Sequence, residues 1–291
     1  MAKTLLAVVL VLAAAHALPD LARLRDFSWL KRWLSRWNGS HGAPSPLLIP
    51  AIVFVLCVLV QSALAHVLFG LPVLAFGALV LFYSWGPRDL DADIEAVLKA
   101  PDSDRRHAAV QGLRPVPEAQ PLPLQSAPLV EATFASALSR WFGVLFWFVI
   151  LGPAGALAYR IVQLLARHPS FTVEIDGERR ALLERTALVL DWAPSHLVAL
   201  TLALVTEFDA VIKTWRDYHA AHGQGYFTLD LGFLGVLARA GIDADVVAGD
   251  GYAADVDNPL VELADTRTVL RRILYVWVAL IALCVIAGWA T

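Results

Sequence analysis

The sequence is poor in charged residues and in cysteine. Charged residues make up 17% of its 291 positions, whereas soluble domains carry roughly 25%, and the mean hydropathy is +0.62. The net charge of -3 provides no positive field for nucleic acid. Cys57 and Cys284 lie within apolar runs, where free cysteine behaves as a small core residue. We therefore expect an integral membrane protein with some aqueous mass and no nucleic-acid partner.

Motifs of the common enzyme classes are also missing. We find no Walker loop, dinucleotide fingerprint, nucleophile elbow or zinc-binding helix motif. His219 and His222 are one helical turn apart, but the sequence offers no evident third metal ligand. The acidic, glycine-containing segment 243–257 does not have the spacing of a calcium loop. The sequence predicts no metal site and leaves any cofactor unknown.

The most informative run lies between Arg140 and Arg160. Its nineteen residues carry no charge, and Gly152-Pro153-Ala154-Gly155 interrupts the middle. A helix that crosses a bilayer needs about 20 apolar residues, but proline removes a backbone donor and clashes with the preceding turn. Broken helices at membrane depth occur where protein or water satisfies the freed backbone groups. The run predicts a broken helix with a site beside it.

The predicted fold is all-α: a polytopic helical membrane protein with about four full spans, two membrane-dipping broken-helix segments and cytoplasmic helical loops. The chain forms a single integral membrane domain, 1–291, with a helical and Pro-rich insert at 88–133 and a helical, then acidic and Gly-rich, segment at 207–268. The predicted spans are 4–18, 47–69, 73–85 and 269–290, and the predicted dips are 140–166 and 192–206.

Basic residues give the orientation. If both dips return to the side from which they enter, every Lys and Arg except Lys3 lies on one face, which the positive-inside bias makes cytoplasmic. If both dips cross instead, five arginines move to the outside. We expect the first arrangement, with both termini on the opposite face from the large loops.

Residues 21–37 predict an amphipathic helix. Such a helix beside a span lies in the membrane interface, either as an anchor or as a partner-binding surface. Within the predicted spans, Gln61 and His66 are polar, and we expect inter-helix hydrogen bonds from them or a ligand role. The apolar face of the amphipathic helix contains Leu30, Trp33, Leu34 and Trp37, and the basic face contains Arg25, Arg32 and Arg36.

Two short clusters are the candidate ligand-binding residues. Tyr159, Arg160 and Gln163 follow the Gly-Pro break, and Asp191, Trp192 and His196 open the second dip. Arg160 is either an interface residue that snorkels toward water or a partner for an anion. Asp191 is expected to cap the following helix, with Pro194 in its first turn. His196 is read as a satisfied polar group or as part of the site.

Elsewhere, the sequence predicts two simpler features. Asp89, Asp91 and Asp93 alternate, and such positions do not face one another on a helix, so a solvated surface is expected. Asp176-Gly177 lies between two short segments that are expected to be extended, which predicts a turn.

The runs VLFWFVILGPAGALAYR and, about thirty residues later, LDWAPSHL resemble the AmpE family. These are inner-membrane proteins of Gram-negative bacteria linked to β-lactamase regulation, and their wider superfamily includes the membrane-bound adenosylcobinamide-phosphate synthases. The likeness extends over nearly the whole chain in the order of its elements. It adds Glu131 and Trp147 to the candidate site, because Glu131 matches the first acid of the synthase pattern and Trp147 ends its retained Leu-Phe-Trp.

Most of the synthase carboxylates and amides have no counterpart. The resemblance retains Gly152, Gly155, Ala156, Tyr159, Arg160, Trp192 and Pro194. Where the synthase pattern has acids, amides, a glycine or an arginine, this chain has Ala135, Ser136, Ser139, Arg140, Gln163, Ala187, Leu188, Asp191 and His196. Because such chemistry depends on electrostatics and often on metal, these departures argue against synthase activity.

The resemblance therefore implies a non-catalytic regulator in the bacterial inner membrane. We expect a pocket that opens to the cytoplasm between the two dips, emptied of acidic groups, and an anionic small molecule or cell-wall-derived ligand as its occupant. The alternatives are a ligase or transferase of the synthase type and a transporter or lipid-handling protein. The sequence does not give the oligomeric state.

Overall fold

A computed structural model of the chain describes residues 5–11, 25–38, 45–65, 71–86, 89–115, 120–172, 175, 177–223, 225, 228–248 and 258–287. Within these ranges the fold is all-helical and contains no strand, which confirms the predicted class. The helices are α1 (5–11), α2 (Ser28–Asn38), α3 (Leu48–Leu64), α4 (Leu71–Ser84), α5 (Leu90–Leu98), α6 (Ser103–Val110), α7 (Ser126–Ala137), α8 (Gly143–Arg167), α9 (Pro169–Thr172), α10 (Gly177–Val205), α11 (Phe208–Ala221), α12 (Gly232–Ala248) and α13 (Pro259–Ile286).

The chain divides into two compact units. Unit 1 contains Met1–Asp89, Gly143–Leu190 and Val278–Thr291, and unit 2 contains Leu90–Phe142 and Asp191–Trp277. The long helices α10 and α13 contribute residues to both. The predicted single domain is thus built from two units, each with its own buried residues.

Unit 1 is organised around α8, which packs against α3, α4 and α9. Leu30 and Leu34 of α2 belong to the same apolar core as Ile161 and Leu165 of α8. Of the apolar face predicted for residues 21–37, Leu30 and Leu34 are buried in this core and Trp33 packs against it. Arg25, predicted on the solvated face, lies before α2 and is only 2% exposed.

The backbone of α8 reverses at Gly152. This residue has φ 70° and ψ -161°, a conformation that an L side chain rarely adopts. Tyr159 lies against Gly143 so closely that a Cβ at Gly143 would collide with the Tyr159 hydroxyl. These residues are sixteen positions apart and would be separated by about 24 Å in a straight helix. The predicted break is therefore confirmed, and the two halves of α8 fold back on each other.

A polar side chain and a glycine accommodate this reversal. Gln61 of α3 lies beside Gly152, with its Oε1 atom 3.7 Å from the position that a Cβ would take. Pro153 and Phe148 pack at ordinary contact distance against Gly77 of α4. The amide of Gln61 thus faces irregular backbone, as expected for a polar residue within an apolar helix. His66 lies outside the described residues.

Unit 2 is a helical cluster in which α7 packs against α12 and α12 against α11. A π-helical turn, Leu138–Phe142, follows α7, and all five of its residues are buried. α5, α6 and the 3-10 turn Gln111–Leu113 pack together, and α5 and the turn also contact α7. The insert predicted at 88–133 is thus mostly helical. Its Pro-rich part is extended near Leu122, whose backbone is held from both sides by the amide of Gln111.

The second predicted dip is wrong as a separate broken segment. Residues 192–205 continue the 29-residue α10, which passes through Pro194, and only Thr206 lies beyond its end. Asp191 therefore lies within a helix and does not cap one. The sequence also predicted an extended segment after the turn at Asp176-Gly177. This part of the prediction is wrong, because the helix α10 begins at Gly177. Asp176 itself lies outside the described residues.

Two helical stretches are long and apolar enough to cross a membrane. They are Ser126–Arg167, which contains α7, the π-helical turn and α8, and Gly177–Val205. α3 and α4 are shorter apolar helices. α3 lies within the predicted span 47–69, whereas α4 begins two residues before the predicted span 73–85. α13 contains residues 269–286 of the predicted last span, and α1 contains part of the first.

The reversal gives a stability prediction. Gly152→Ala forces a Cβ into the left-handed conformation and is expected to lower the free energy of unfolding by about 1–3 kcal/mol. Gly177→Ala is the control, because a Cβ at Gly177 meets nothing within 4 Å. Thermal or denaturant unfolding of both variants in detergent measures the difference. Equal stability of the two variants would show that Gly152 is not constrained.

Candidate functional site

Four of the predicted site residues lie in unit 1, on α8. Tyr159 is buried with its hydroxyl at Gly143, so its ring holds the two halves of the helix together. Gln163 is also buried, and its Oε1 atom accepts a hydrogen bond of 2.6 Å from Arg167 Nη1. These two side chains are part of the packing of α8, whereas Trp147 and Arg160 make more specialised contacts.

Trp147 compensates for the proline within α10. Pro194 has no backbone N–H, so the carbonyl of Leu190, four residues earlier, loses its normal helical partner. Trp147 Nε1 donates a hydrogen bond of 3.1 Å to that carbonyl. Apolar surroundings make an unsatisfied carbonyl costly. The indole therefore explains how α10 continues through Pro194, and it gives Trp147 a structural role.

Arg160 and Arg25 meet at Gly86. The Arg160 guanidinium lies where a Cβ of Gly86 would be, and Gly86 adopts φ 102°. Arg25 Nη1 donates to the Gly86 carbonyl at 3.4 Å, and its guanidinium carbon lies 4.2 Å from the centre of the Phe82 ring. Both arginines are buried, at 2% and 6% exposure. Arg160 is therefore not an interface residue that snorkels into water, and Arg25 is a site residue that sequence reasoning missed.

Electrostatics around this pair are positive. Burial lowers the pKa of Arg25, and Asp89 opposes that change. Burial also lowers the pKa of His168, and the positive charge of Arg160 lowers it further.

The other four predicted residues lie in unit 2. Glu131 forms an ion pair of 3.4 Å with Arg239, and both side chains are more than two-fifths exposed. Such a pair contributes little to stability, and Glu131 is placed at the surface of the α7 and α12 pair. Asp191 is fully buried within α10.

Trp192 and His196 belong to a cluster of rings. His196 Nδ1 lies 2.7 Å from the Trp192 carbonyl, and its ring packs against Trp192, Trp215 and Phe233. Trp215 and Phe233 are stacked, with centroids 5.7 Å apart. The order of residues did not reveal this cluster, because α10, α11 and α12 each contribute to it.

Histidine and tyrosine groups extend the ring cluster. Trp215 Nε1 donates to His219 Nε2 at 2.9 Å, and burial and then the nearby His196 lower the pKa of His219. Tyr218 donates to Asp230 at 2.7 Å. Burial and the bonded carboxylate raise the pKa of Tyr218 to about 12. Within the described residues, no group of three His, Cys, Asp or Glu side chains is arranged to hold a metal.

Unit 2 contains buried ion pairs that correct the prediction of a solvated acidic face. Arg140 Nη1 donates to Asp93 Oδ2 at 2.7 Å, and both side chains are only 10% exposed. Asp91 accepts two bonds from Arg267 and one from Arg271, all at 2.7 Å. Burial opposes the charge on Asp91, but these bonds prevail and hold its pKa below the usual range.

Unit 2 also buries several other carboxylates: Asp191, Asp245, Glu262 and Asp265, in addition to Asp93. They lie on α5, α10, α12 and α13.

Comparison with known proteins gives no relative: no family model, curated protein or solved structure matches this chain.

The role assigned to Trp147 is testable with a double-mutant cycle. Trp147→Phe is expected to destabilise the protein by about 1–3 kcal/mol, because it leaves the Leu190 carbonyl without the indole donor. Pro194→Ala supplies a backbone N–H for that carbonyl, so Trp147→Phe should cost about 1 kcal/mol less in this background. Unfolding free energies of the four proteins measure the coupling. Strict additivity would contradict the role.

Proposed function

We propose that this chain is an inner-membrane regulatory protein of the AmpE type, linked to β-lactamase induction and cell-wall recycling. It acts without catalysis, through a small-molecule site that faces the cytoplasm. The observation that carries the proposal is the run VLFWFVILGPAGALAYR, on which the resemblance rests. In the structure this run reverses at Gly152 and carries Arg160 to a buried position beside Arg25.

Exposed apolar surface supports a membrane location. Val58, Leu59 and Val60 are consecutive residues of α3, and each is at least 43% exposed. Neighbouring helical residues point about 100° apart, so these three present apolar surface over much of the helix circumference. Ile150 and Leu151, beside the reversal of α8, are also exposed. Lipid is the solvent that suits such surfaces.

The ion pairs formed by Asp91 and Asp93 support a non-catalytic protein. Asp93 is buried and Asp91 is half-buried, and arginines engage both carboxylates. The bonds from Arg267 and Arg271 hold the pKa of Asp91 below its usual range, so this carboxylate is a poor base. The second candidate is a synthase-type ligase, which the retained Glu131, Tyr159 and Trp192 favour. Complementation of a synthase-deficient strain by this chain would support that candidate and contradict ours.

The regulatory proposal predicts unequal effects of two arginine variants. Arg160→Ala removes a buried charge and is expected to abolish complementation of a deletion strain in a β-lactamase induction assay. Arg105→Ala is the control, because Arg105 lies on α6 with a side chain that is 75% exposed, and it should retain wild-type induction. Membrane levels of both proteins are compared by immunoblot. Equal induction by the two variants at equal levels would contradict the proposal.

The topology predicts the labelling of two introduced cysteines. Asp104 and Ser170 are exposed and lie before and after the reversal of α8 along the chain. In a background with Cys57→Ala and Cys284→Ala, Asp104→Cys and Ser170→Cys should both react with an impermeant maleimide only after the inner membrane is opened. Reaction of either cysteine from the periplasm would contradict the return of α8 to the cytoplasmic face.

A further inference from the structure

We propose that Arg25 and Arg160 of unit 1 form a binding site for a phosphate group, with Gly86 as the residue on which both guanidinium groups converge. The inference deepens the proposed function and rests on it for the physiological role of the ligand. The site itself is argued from the geometry of unit 1 alone.

Arg25 is an incompletely satisfied buried cation. Its side chain is 98% buried, yet its Nε atom has no hydrogen-bond acceptor among the residues that the structure describes. The Nη1 bond to Gly86 is 3.4 Å long, near the limit for a hydrogen bond. A buried charge with unsatisfied donors is costly, and an anion that accepts from Nε would remove that cost.

The charge of Arg160 makes the surroundings of Gly86 suited to an anion with more charge and more acceptor oxygens than a single carboxylate. Its guanidinium lies against the α-carbon of Gly86, and Arg25 bonds the carbonyl of the same residue. One guanidinium satisfies a carboxylate with two parallel bonds. Two guanidinium groups that contact Gly86 from different elements suit an anion with more acceptor oxygens and more charge. A tetrahedral phosphate group has both properties.

The glycine and the aromatic ring prepare the site. Gly86 has φ 102°, and any side chain there would displace Arg160. Phe82 lies under the Arg25 guanidinium at 4.2 Å, which fixes the plane of the fork. The nearby charge of Asp89 compensates part of the charge of Arg25. The phosphate can belong to a lipid headgroup or to a soluble phosphate ester, since the recognising chemistry is shared.

The test is phosphate binding to the purified full-length protein. Equilibrium dialysis with radiolabelled inorganic phosphate and thermal unfolding with added phosphate should both show binding to wild type, with acetate much weaker. Arg25→Gln and Arg160→Gln should each weaken phosphate binding at least tenfold, as expected for loss of charge-assisted bonds. Arg180→Gln is the matched control in unit 1, because Arg180 forms an exposed i,i+4 pair with Glu184, and it should bind as wild type.

Charge-preserving variants distinguish a loss of phosphate binding from a loss of folding. Arg25→Lys and Arg160→Lys keep the positive charge but lose the planar fork, so they should fold and still bind phosphate at least tenfold more weakly. Nanodiscs made with either phosphatidate or phosphatidylcholine identify the source of the phosphate. Stabilisation of the protein against thermal unfolding by phosphatidate indicates a lipid phosphate. Binding of added inorganic phosphate in phosphatidylcholine nanodiscs, without stabilisation by phosphatidate, indicates a soluble ester.

Two results would overturn the site. One is failure of wild type to bind phosphate and phosphatidate, and the other is wild-type binding by the folded lysine or glutamine variants. A different result would reject the proposed function but keep the site. In that result, phosphate binding depends on both arginines, but a strain that lacks this protein shows normal β-lactamase induction.

Discussion

The reversal of the backbone at Gly152 is the constraint on which unit 1 depends. A positive φ at this residue lets α8 fold back, so that Tyr159 reaches Gly143 and Arg160 lies at Gly86. An uninterrupted α8 would separate Tyr159 from Gly143 by about four helical turns. The broken backbone is placed beside the amide of Gln61, and the carbonyl freed by Pro194 in α10 receives Trp147. Irregular backbone in this unit is therefore accompanied by nearby polar side chains.

Unit 2 solves a different problem, the burial of charge in a helical core. Arg140 in the π-helical turn is held by Asp93, and Asp91 is held by Arg267 and Arg271 of α13. Buried pairs contribute little net stability, but removal of one partner leaves an uncompensated charge. These pairs therefore fix which residues of α5 face the π-helical turn and α13.

The sequence predicted the features that depend on local order. The charge-free run, the break at Gly152 and the apolar helices α3 and α4 follow from composition and from Gly and Pro. It did not predict pairs that depend on the fold, such as Asp93 with Arg140 or Asp91 with Arg267, which are 47 and 176 residues apart. Pro194 misled the prediction of α10, because the indole that compensates for the proline comes from a different helix. Arg25 was assigned to a solvated face by helical periodicity, but the helix begins only at Ser28.

The reversal of α8 can be measured directly by chemical cross-linking. Gly143→Cys and Tyr159→Cys, introduced together with Cys57→Ala and Cys284→Ala, would lie about 24 Å apart on a straight helix, beyond the reach of a short bismaleimide. A hairpin at Gly152 predicts an intramolecular cross-link, detected by mass spectrometry, in the folded protein within its membrane. The pair Gly143→Cys and Ile150→Cys reports on reactivity within one half of α8. Absence of the first cross-link while both cysteines react singly would contradict the hairpin, and with it the buried meeting of Arg25 and Arg160.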